Sequence, residues 1–233
     1  MTTIERVGFV RARLREAPWE WAERNGDAIR ANWTERLRRT PKIFDGRVLM
    51  LSKLCVSGET ADATFFPTDY AALLAWTDAG WPDGSVANAF ATGALRTTDG
   101  AFILGEMAPG TANAGRLYFP CGTPDMTDVL PDGTVDLPGS LEREITEETR
   151  LGPDLFRAEP NWTIVRSGGL LAFIRIVRLE LTGAEARARI LAHLRTEPEP
   201  ELSGIMLVRS ADDLPPGRAP GVVEPFLRAA FGP

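Results

Sequence analysis

The segment Arg143-Glu144-Ile145-Thr146-Glu147-Glu148 places three carboxylates within about one turn of a helix. At about 100° per residue, Glu147 and Glu148 lie about 60° and 40° to either side of Glu144. Like charges this close repel each other and raise each other's pKa unless a cation lies among them. A hard cation such as Mg²⁺ removes that penalty, because it takes carboxylate, phosphate and water oxygens as ligands. Taken alone, the segment fits a metal-binding helix and a solvated acidic helix end equally well.

The loop before this helix favours the metal-binding interpretation. It is rich in Gly and Pro and opens at Gly122. Loop and helix together resemble the conserved box of the Nudix hydrolase (MutT-like) superfamily, G-x5-E-x7-R-E-U-x-E-E-x-G-U, in which U is aliphatic. The R, E, U, E, E and final U positions are occupied by Arg143, Glu144, Ile145, Glu147, Glu148 and Leu151.

Two features depart from that box. Asp128 follows Gly122 after five residues, where the box has Glu, and fourteen residues instead of seven separate Asp128 from Arg143. Val129 to Val135 therefore resembles an insertion, which we expect to form a small surface excursion around the turn signal Asp132-Gly133. Arg150 stands where the box has Gly, which puts the usual C-terminal turn of the helix in doubt.

Composition excludes several classes of function. The chain has 233 residues, 44% of them hydrophobic, so it can bury a substantial core. A net charge of −6 argues against a nucleic-acid partner, because phosphate backbones select basic surfaces. Cys55 and Cys121 are the only cysteines, and Met1 to Leu14 has no apolar signal region. No stretch reaches the roughly 18 apolar residues that span a bilayer. We expect a cytoplasmic protein without a membrane partner; a homodimer is allowed.

The single histidine, His193, limits the available chemistry. A zinc site with two histidines is impossible, and a Ser-His-Asp triad would have to use this one residue. His193 lies in a segment rich in Ala, Arg and Leu that reads as an amphipathic surface helix. The chemistry must therefore rely on carboxylates, either as metal ligands or as an acid/base pair.

Periodicity and turn signals predict an N-terminal helical extension over residues 1–42 and an α/β body over residues 43–233, which the resemblance identifies as a Nudix hydrolase domain. The resemblance implies an α/β/α sandwich around a mixed sheet. The predicted helices are 18–39, 69–78, from about 138, 184–195 and 222–230; the predicted strands are 48–56, 63–66, 89–95, 101–104, 117–119, 162–165, 170–181 and 205–209.

The resemblance also implies roles for individual residues. Glu144, Glu147 and Glu148 would be ligands of Mg²⁺ or Mn²⁺, and Glu147 and Glu148 would take part in catalysis. Arg143 would orient the ligands through charge-assisted hydrogen bonds. Gly122 and Asp128 would belong to the substrate-binding loop.

A distal glutamate often completes such sites. Glu201 precedes a predicted strand and resembles this distal glutamate. It is our first candidate for the catalytic carboxylate, and Glu199 is the second. A solvated acidic loop explains both residues equally well.

The substrate expected from the resemblance is a small nucleotide. The pattern Trp33-x-x-Arg36-Leu37 followed by Pro41 to Gly46 is similar to a branch with an expanded box that hydrolyses UDP-sugars to UMP and a sugar 1-phosphate. ADP-ribose, dinucleotide polyphosphates and a non-catalytic nucleotide-binding module stay open. Trp19, Trp21, Trp33 and Trp76 precede residue 80, and Trp81 follows. We expect most of these rings in the core and substrate choice in this N-terminal part of the chain.

Overall fold

A computed structural model describes residues 1–111 and 113–232. No helix in these two ranges is long and apolar enough to cross a membrane. The α-helices are α1 (Glu20–Arg24), α2 (Gly26–Arg39), α3 (Tyr70–Asp78), α4 (Leu137–Thr149), α5 (Gly183–Leu194) and α6 (Val223–Phe231). The strands are β1 (Thr2–Val7), β2 (Phe9–Leu14), β3 (Arg47–Ser57), β4 (Thr60–Asp69), β5 (Asn88–Arg96), β6 (Phe102–Met107), β7 (Leu117–Tyr118), β8 (Phe156–Ala158), β9 (Trp162–Ser167), β10 (Leu170–Leu179) and β11 (Leu202–Val208).

An eight-stranded mixed sheet forms the centre of the molecule. Its order is β1-β9-β10-β5-β6-β11, with β7 paired to β6 and β8 paired to β10. β5 and β10 run parallel, with Asn88 opposite Leu170, and the other described pairs of this sheet are antiparallel. Nearly every residue of β5 is buried, as expected for a strand that is covered on both faces.

Helices cover both faces of this sheet. Ile145 of α4 and Ile190 of α5 share a hydrophobic cluster with Ala91 of β5. Phe90, the neighbour of Ala91 on β5, points the other way and belongs to a cluster with Phe226 of α6. The α/β/α sandwich around a mixed sheet is therefore confirmed.

A second sheet has three strands in the order β2-β4-β3. Leu51 and Phe65 face the same cluster as α4. Met50 and Phe66 point the other way, into a cluster with α3 and Trp19. This small sheet therefore joins the N-terminal helices to the large sheet.

The expectation that residues 1–42 form a helical extension is wrong for its first third. Thr2 to Val7 pairs with β9 as an edge strand of the large sheet, and Phe9 to Leu14 pairs with β4 in the small sheet. Only Val7 of β1 is buried, so this edge strand lacks the apolar run that marks a buried strand. The helix predicted over 18–39 is divided at Asn25 into α1 and α2.

The large sheet opens between β5 and β6, and this opening positions the site. These strands pair only where Arg96 lies opposite Phe102. Away from that pair, Thr92 of β5 bridges to Cys121, and its Oγ1 donates a hydrogen bond of 2.9 Å to the carbonyl of Pro120. The chain emerging from β7 therefore fills the opening and presents the loop at Gly122 to α4.

Candidate active site

α4 carries the predicted acidic segment and packs closely on the large sheet. The side chain of Asp136 caps its first turn by accepting a hydrogen bond of 3.0 Å from the Gly139 N–H. A Cβ at Gly93 of β5 would lie 2.6 Å from Cδ1 of Ile145, so the helix rests directly on a strand that lacks a side chain there. Arg150 ends the helix in the left-handed conformation, with φ of 55°. The C-terminal turn that the missing glycine put in doubt is therefore formed.

The three carboxylates of the predicted metal site differ in burial. Glu144 and Glu148 are each 9% exposed, whereas the side chain of Glu147 is 60% exposed. Arg143 lies among them, donating a hydrogen bond of 2.8 Å to Glu144 and a longer one of 3.4 Å to Glu147. The helix therefore turns two carboxylates inward and leaves the third in solvent.

Asp128 lies beside this cluster despite the insertion. It is 5% exposed, accepts a hydrogen bond of 2.9 Å from Arg143 and caps a 3₁₀ turn by accepting another of 3.0 Å from the Asp125 N–H. The two ends of the insertion lie next to each other, because Val129 bridges to Val135 and the Asp136 N–H donates a hydrogen bond of 2.8 Å to the Asp128 carbonyl.

The insertion is more than a surface excursion. Val135 is 2% exposed, and its N–H donates a hydrogen bond of 3.0 Å to the carbonyl of Ala12 in β2. Gly133 accepts another, of 2.9 Å, from the N–H of Leu14. The inserted hairpin thus extends the small sheet at β2, and its removal would uncover part of the core.

The loop at Gly122 leaves no room between backbone and carboxylate. A Cβ at Gly122 would lie 2.7 Å from Cδ of Glu144, and the N–H of Cys121 donates a hydrogen bond of 3.0 Å to Glu148. Any side chain at this position would therefore displace the Glu144 carboxylate.

Burial dominates the electrostatics of the cluster. It raises the pKa of Glu144 to about 7, although Arg143 acts in the opposite direction and Glu147 and Glu201 add to the rise. Burial also raises the pKa of Glu148 well above its ordinary value, and Glu144 and Glu201 add to that rise against the Cys121 N–H. The surroundings of Glu144 and Glu148 therefore carry excess negative charge.

Glu201 lies next to this cluster, and Glu199 does not. Glu201 immediately precedes β11, its carbonyl accepts a hydrogen bond of 2.8 Å from the Ala108 N–H, and its charge acts on both buried glutamates. Glu199 instead forms an exposed ion pair with Lys42. Of the two acidic candidates in this loop, the structure brings only Glu201 toward the site.

A metal fits the chemistry of these donors, although no three acidic, His or Cys side chains in the described ranges already converge on one point. Carboxylate oxygens are the ligands that Mg²⁺ and Mn²⁺ prefer. Burial raises the pKa of Glu144 most and neighbouring carboxylates add to the rise, so a bound cation would stabilise the charged form of this group. Metal binding at Glu144, Glu147 and Glu148 stays a prediction, and Glu147 would have to turn inward.

A cleft of about 210 Å³ reaches the buried end of the cluster. Glu148, Cys121 and Gly122 line one part of it. The remaining walls come from α2, α3, the loop after α3, the start of β5 and the segment before β7, and they include Arg36, Tyr70, Trp81, Asn88 and Arg116. Sequence reasoning missed Tyr70, Asn88 and Arg116, because no local pattern marks residues that only the tertiary fold brings together.

Comparisons with known proteins add distant similarities. No protein-family model and no curated protein matches the sequence. The fold is similar to that of a Nudix hydrolase from M. smegmatis, RenU, at 17% identity over 60% of this chain and 82% of that chain, with a TM-score of 0.37. It is also similar to a MutT protein from Methanosarcina mazei Go1, at 15% identity over 62% of this chain and 94% of that chain, with a TM-score of 0.38. These matches do not show the family of this chain.

Proposed function

We propose that this protein is a metal-dependent hydrolase of the Nudix type that cleaves the diphosphate of a nucleoside diphosphate linked to another moiety. One observation carries the proposal. Arg143 binds both Asp128 and Glu144, next to a buried Glu148 that faces the cleft. One charged side chain of the predicted R-E-U-x-E-E segment, that of Glu148, thus lines a cavity that can admit a small molecule.

Each side chain has a role in this proposal. Glu144, Glu147 and Glu148 hold Mg²⁺ or Mn²⁺, which when bound polarises phosphoryl oxygens and lowers the pKa of a water. Arg143 fixes the orientation of Glu144 and is itself held by Asp128. Glu201 is exposed beside the cluster and accepts the proton of the attacking water.

Two arginines line the cleft, and one of them is placed to bind an anionic substrate. Arg36 is paired with Asp78 through a hydrogen bond of 2.9 Å. Arg116 donates a hydrogen bond of 3.2 Å to the carbonyl of Ala219, and no ion pair of Arg116 with a carboxylate occurs in residues 1–111 and 113–232. Arg116 therefore keeps its charge available for phosphate oxygens.

A UDP-sugar is the substrate we propose, with UMP and a sugar 1-phosphate as products. Support comes from the pattern around Trp33 and Arg36, together with the position of Arg36 on the wall of the cleft. ADP-ribose and dinucleotide polyphosphates share the diphosphate and are the alternative substrates. A nucleotide-binding module without turnover is the alternative of another class.

The test measures turnover of purified protein with Mg²⁺ and UDP-glucose, ADP-ribose or a dinucleotide polyphosphate, with phosphate released from the products by an added phosphatase. We expect hydrolysis of at least one substrate and its loss in excess chelator. Glu148→Gln should lower turnover by several orders of magnitude, because it removes ligand charge.

Glu142→Gln is the matched control, since Glu142 is an exposed glutamate of the same helix. Undiminished turnover in chelator or in Glu148→Gln would contradict the metal mechanism. Nucleotide binding without hydrolysis of any substrate would support the binding module instead.

A further inference from the structure

Trp81 forms part of the cleft wall in a conformation that few tryptophans adopt. Its φ is 62°, in the left-handed region where a bulky residue is strained. The ring lies on the turn Gly168-Gly169 between β9 and β10, where a Cβ at Gly168 would be 2.8 Å from Cε3 of the ring and one at Gly169 would be 2.6 Å from Cδ1. The residue remains 37% exposed. Two glycines and a strained backbone thus hold one indole at the cleft.

Asn88 is the neighbour of Trp81 at this part of the cleft. It begins β5, and its N–H donates a hydrogen bond of 2.9 Å to Gly169, the residue on which the indole packs. Its Oδ1 is buried, and no donor in the described ranges reaches it. A buried acceptor without a partner loses the hydrogen bonds that it would make in water, so native proteins rarely leave one unused.

The distance from Asn88 to the acidic cluster suits an extended substrate. Asn88, Phe90 and Thr92 share one face of β5, and Thr92 bridges to Cys121, whose N–H bonds to Glu148. Asn88 lies four positions before Thr92 along the strand, which is about 13 Å at about 3.3 Å per residue. The amide therefore lies well beyond the phosphate-binding end of the cleft, where the non-phosphate end of a substrate would lie.

We propose that Trp81 and Asn88 bind the nucleobase of the substrate, with the base stacked on the indole and its edge paired to the amide. The proposal rests on the proposed hydrolase function and names the part of the substrate that sets specificity. An amide presents an acceptor beside a donor. It therefore pairs with a base edge that places a donor beside an acceptor, as N3–H and O4 of uracil, N6–H and N1 of adenine, N4–H and N3 of cytosine, and N1–H and O6 of guanine do.

Direct binding of products tests this site without depending on turnover. Affinities of UMP, AMP, GMP and ribose 5-phosphate are measured by calorimetry in Mg²⁺ on the full-length protein. We expect each nucleotide to bind more tightly than ribose 5-phosphate, which has no base. Asn88→Ala should weaken the preferred nucleotide about tenfold and leave ribose 5-phosphate unchanged. Trp81→Leu should weaken every nucleotide, because base stacking tolerates any base.

Asn88→Asp makes the sharper test, because it replaces a donor and an acceptor by two acceptors in the same volume. The nucleotide preference of this variant should move toward GMP, because guanine presents adjacent donors at N1 and N2. Asn161→Ala is the control, since Asn161 is an exposed asparagine away from the cleft. The nucleobase site is overturned if ribose 5-phosphate binds as tightly as the nucleotides, or if both Asn88 variants keep the wild-type affinities and ranking. Base-dependent binding without hydrolysis would support the site and contradict only the hydrolase.

Discussion

Gly122 shows how one missing side chain can decide whether the site forms. The Glu144 carboxylate occupies the space that a Cβ at this position would need. We predict that Gly122→Ala displaces the carboxylate by about 1 Å and lowers turnover about 100-fold, the scale of effect known for such misplacements. The measurement is turnover with the preferred substrate. Gly84→Ala is the matched control, because a Cβ there meets nothing within 4 Å. Equal turnover in both variants would contradict the role of the close approach.

The raised pKa of Glu144 predicts a pH dependence of stability in the metal-free protein. Its folded pKa is about 7 against an ordinary value of 4.5. Between these values the folded state holds more protons than the unfolded state, so the free energy of unfolding falls as pH rises through this window. Glu144→Gln removes this contribution and should make the fall between pH 4.5 and 7 shallower, while Glu148, whose pKa is also raised by burial, keeps its own contribution.

Urea unfolding in chelator at several pH values measures this effect. Glu142→Gln should follow the wild type, because that glutamate is exposed. An identical pH profile in Glu144→Gln and the wild type would show that burial does not hold the proton on Glu144.

At the scale of elements, sequence patterns predicted those helices and strands whose formation depends mainly on local interactions. β5, α3, α5 and α6 lie within about two residues of their predicted bounds, because each has an apolar pattern closed by a turn signal or a cap. The spacing within α4 predicted three carboxylates on one narrow face, and of these only Glu144 and Glu148 turn inward. Spacing could not predict that Glu147 turns to solvent while Glu148 enters a cleft, since that depends on the distant loop at Cys121.

β1 and β2 were not predicted, because pairing with distant strands determines them. The hydrogen bonds between β2 and the inserted hairpin show the same dependence, with Ala12 bonded to Val135. A sequence pattern describes one segment at a time, and neither β2 nor the inserted hairpin forms a complete sheet by itself. Asn88 and Trp81 likewise belong to one surface only after β5 and β10 have paired.

The buried position of Ala12 provides the test at this scale. Ala12 is 3% exposed at the junction of β2, β4 and the hairpin. We predict that Ala12→Asp lowers the free energy of unfolding by roughly 3 kcal/mol, because the new charge has no buried partner. Arg13→Ala, on the exposed side of the same strand, should change it by less than about 0.5 kcal/mol. Similar urea midpoints for both variants would contradict the assignment of β2 to the core.

At the scale of the whole molecule, the first 41 residues are part of the folded unit. Val7, Ala12 and Trp19 are buried, and the Trp19 ring lies 6.0 Å from that of Phe66 and 6.2 Å from that of Trp76. We predict that a chain beginning at Lys42 shows no cooperative thermal unfolding by circular dichroism. A separate peptide of residues 1–41 should restore some of that transition. A truncated chain that melts cooperatively by itself would show that the N-terminal part is dispensable.

The pairing of β1 with β9 also has a consequence for synthesis of the chain. Thr2 lies opposite Ser167, so β1 must wait for about 165 further residues before its partner leaves the ribosome. Contacts of such long range are slow to form, because the loop between them must close first. The large sheet can therefore be completed only after most of the chain has been translated. Until then β1 is an unpaired strand, open to pairing with other nascent chains.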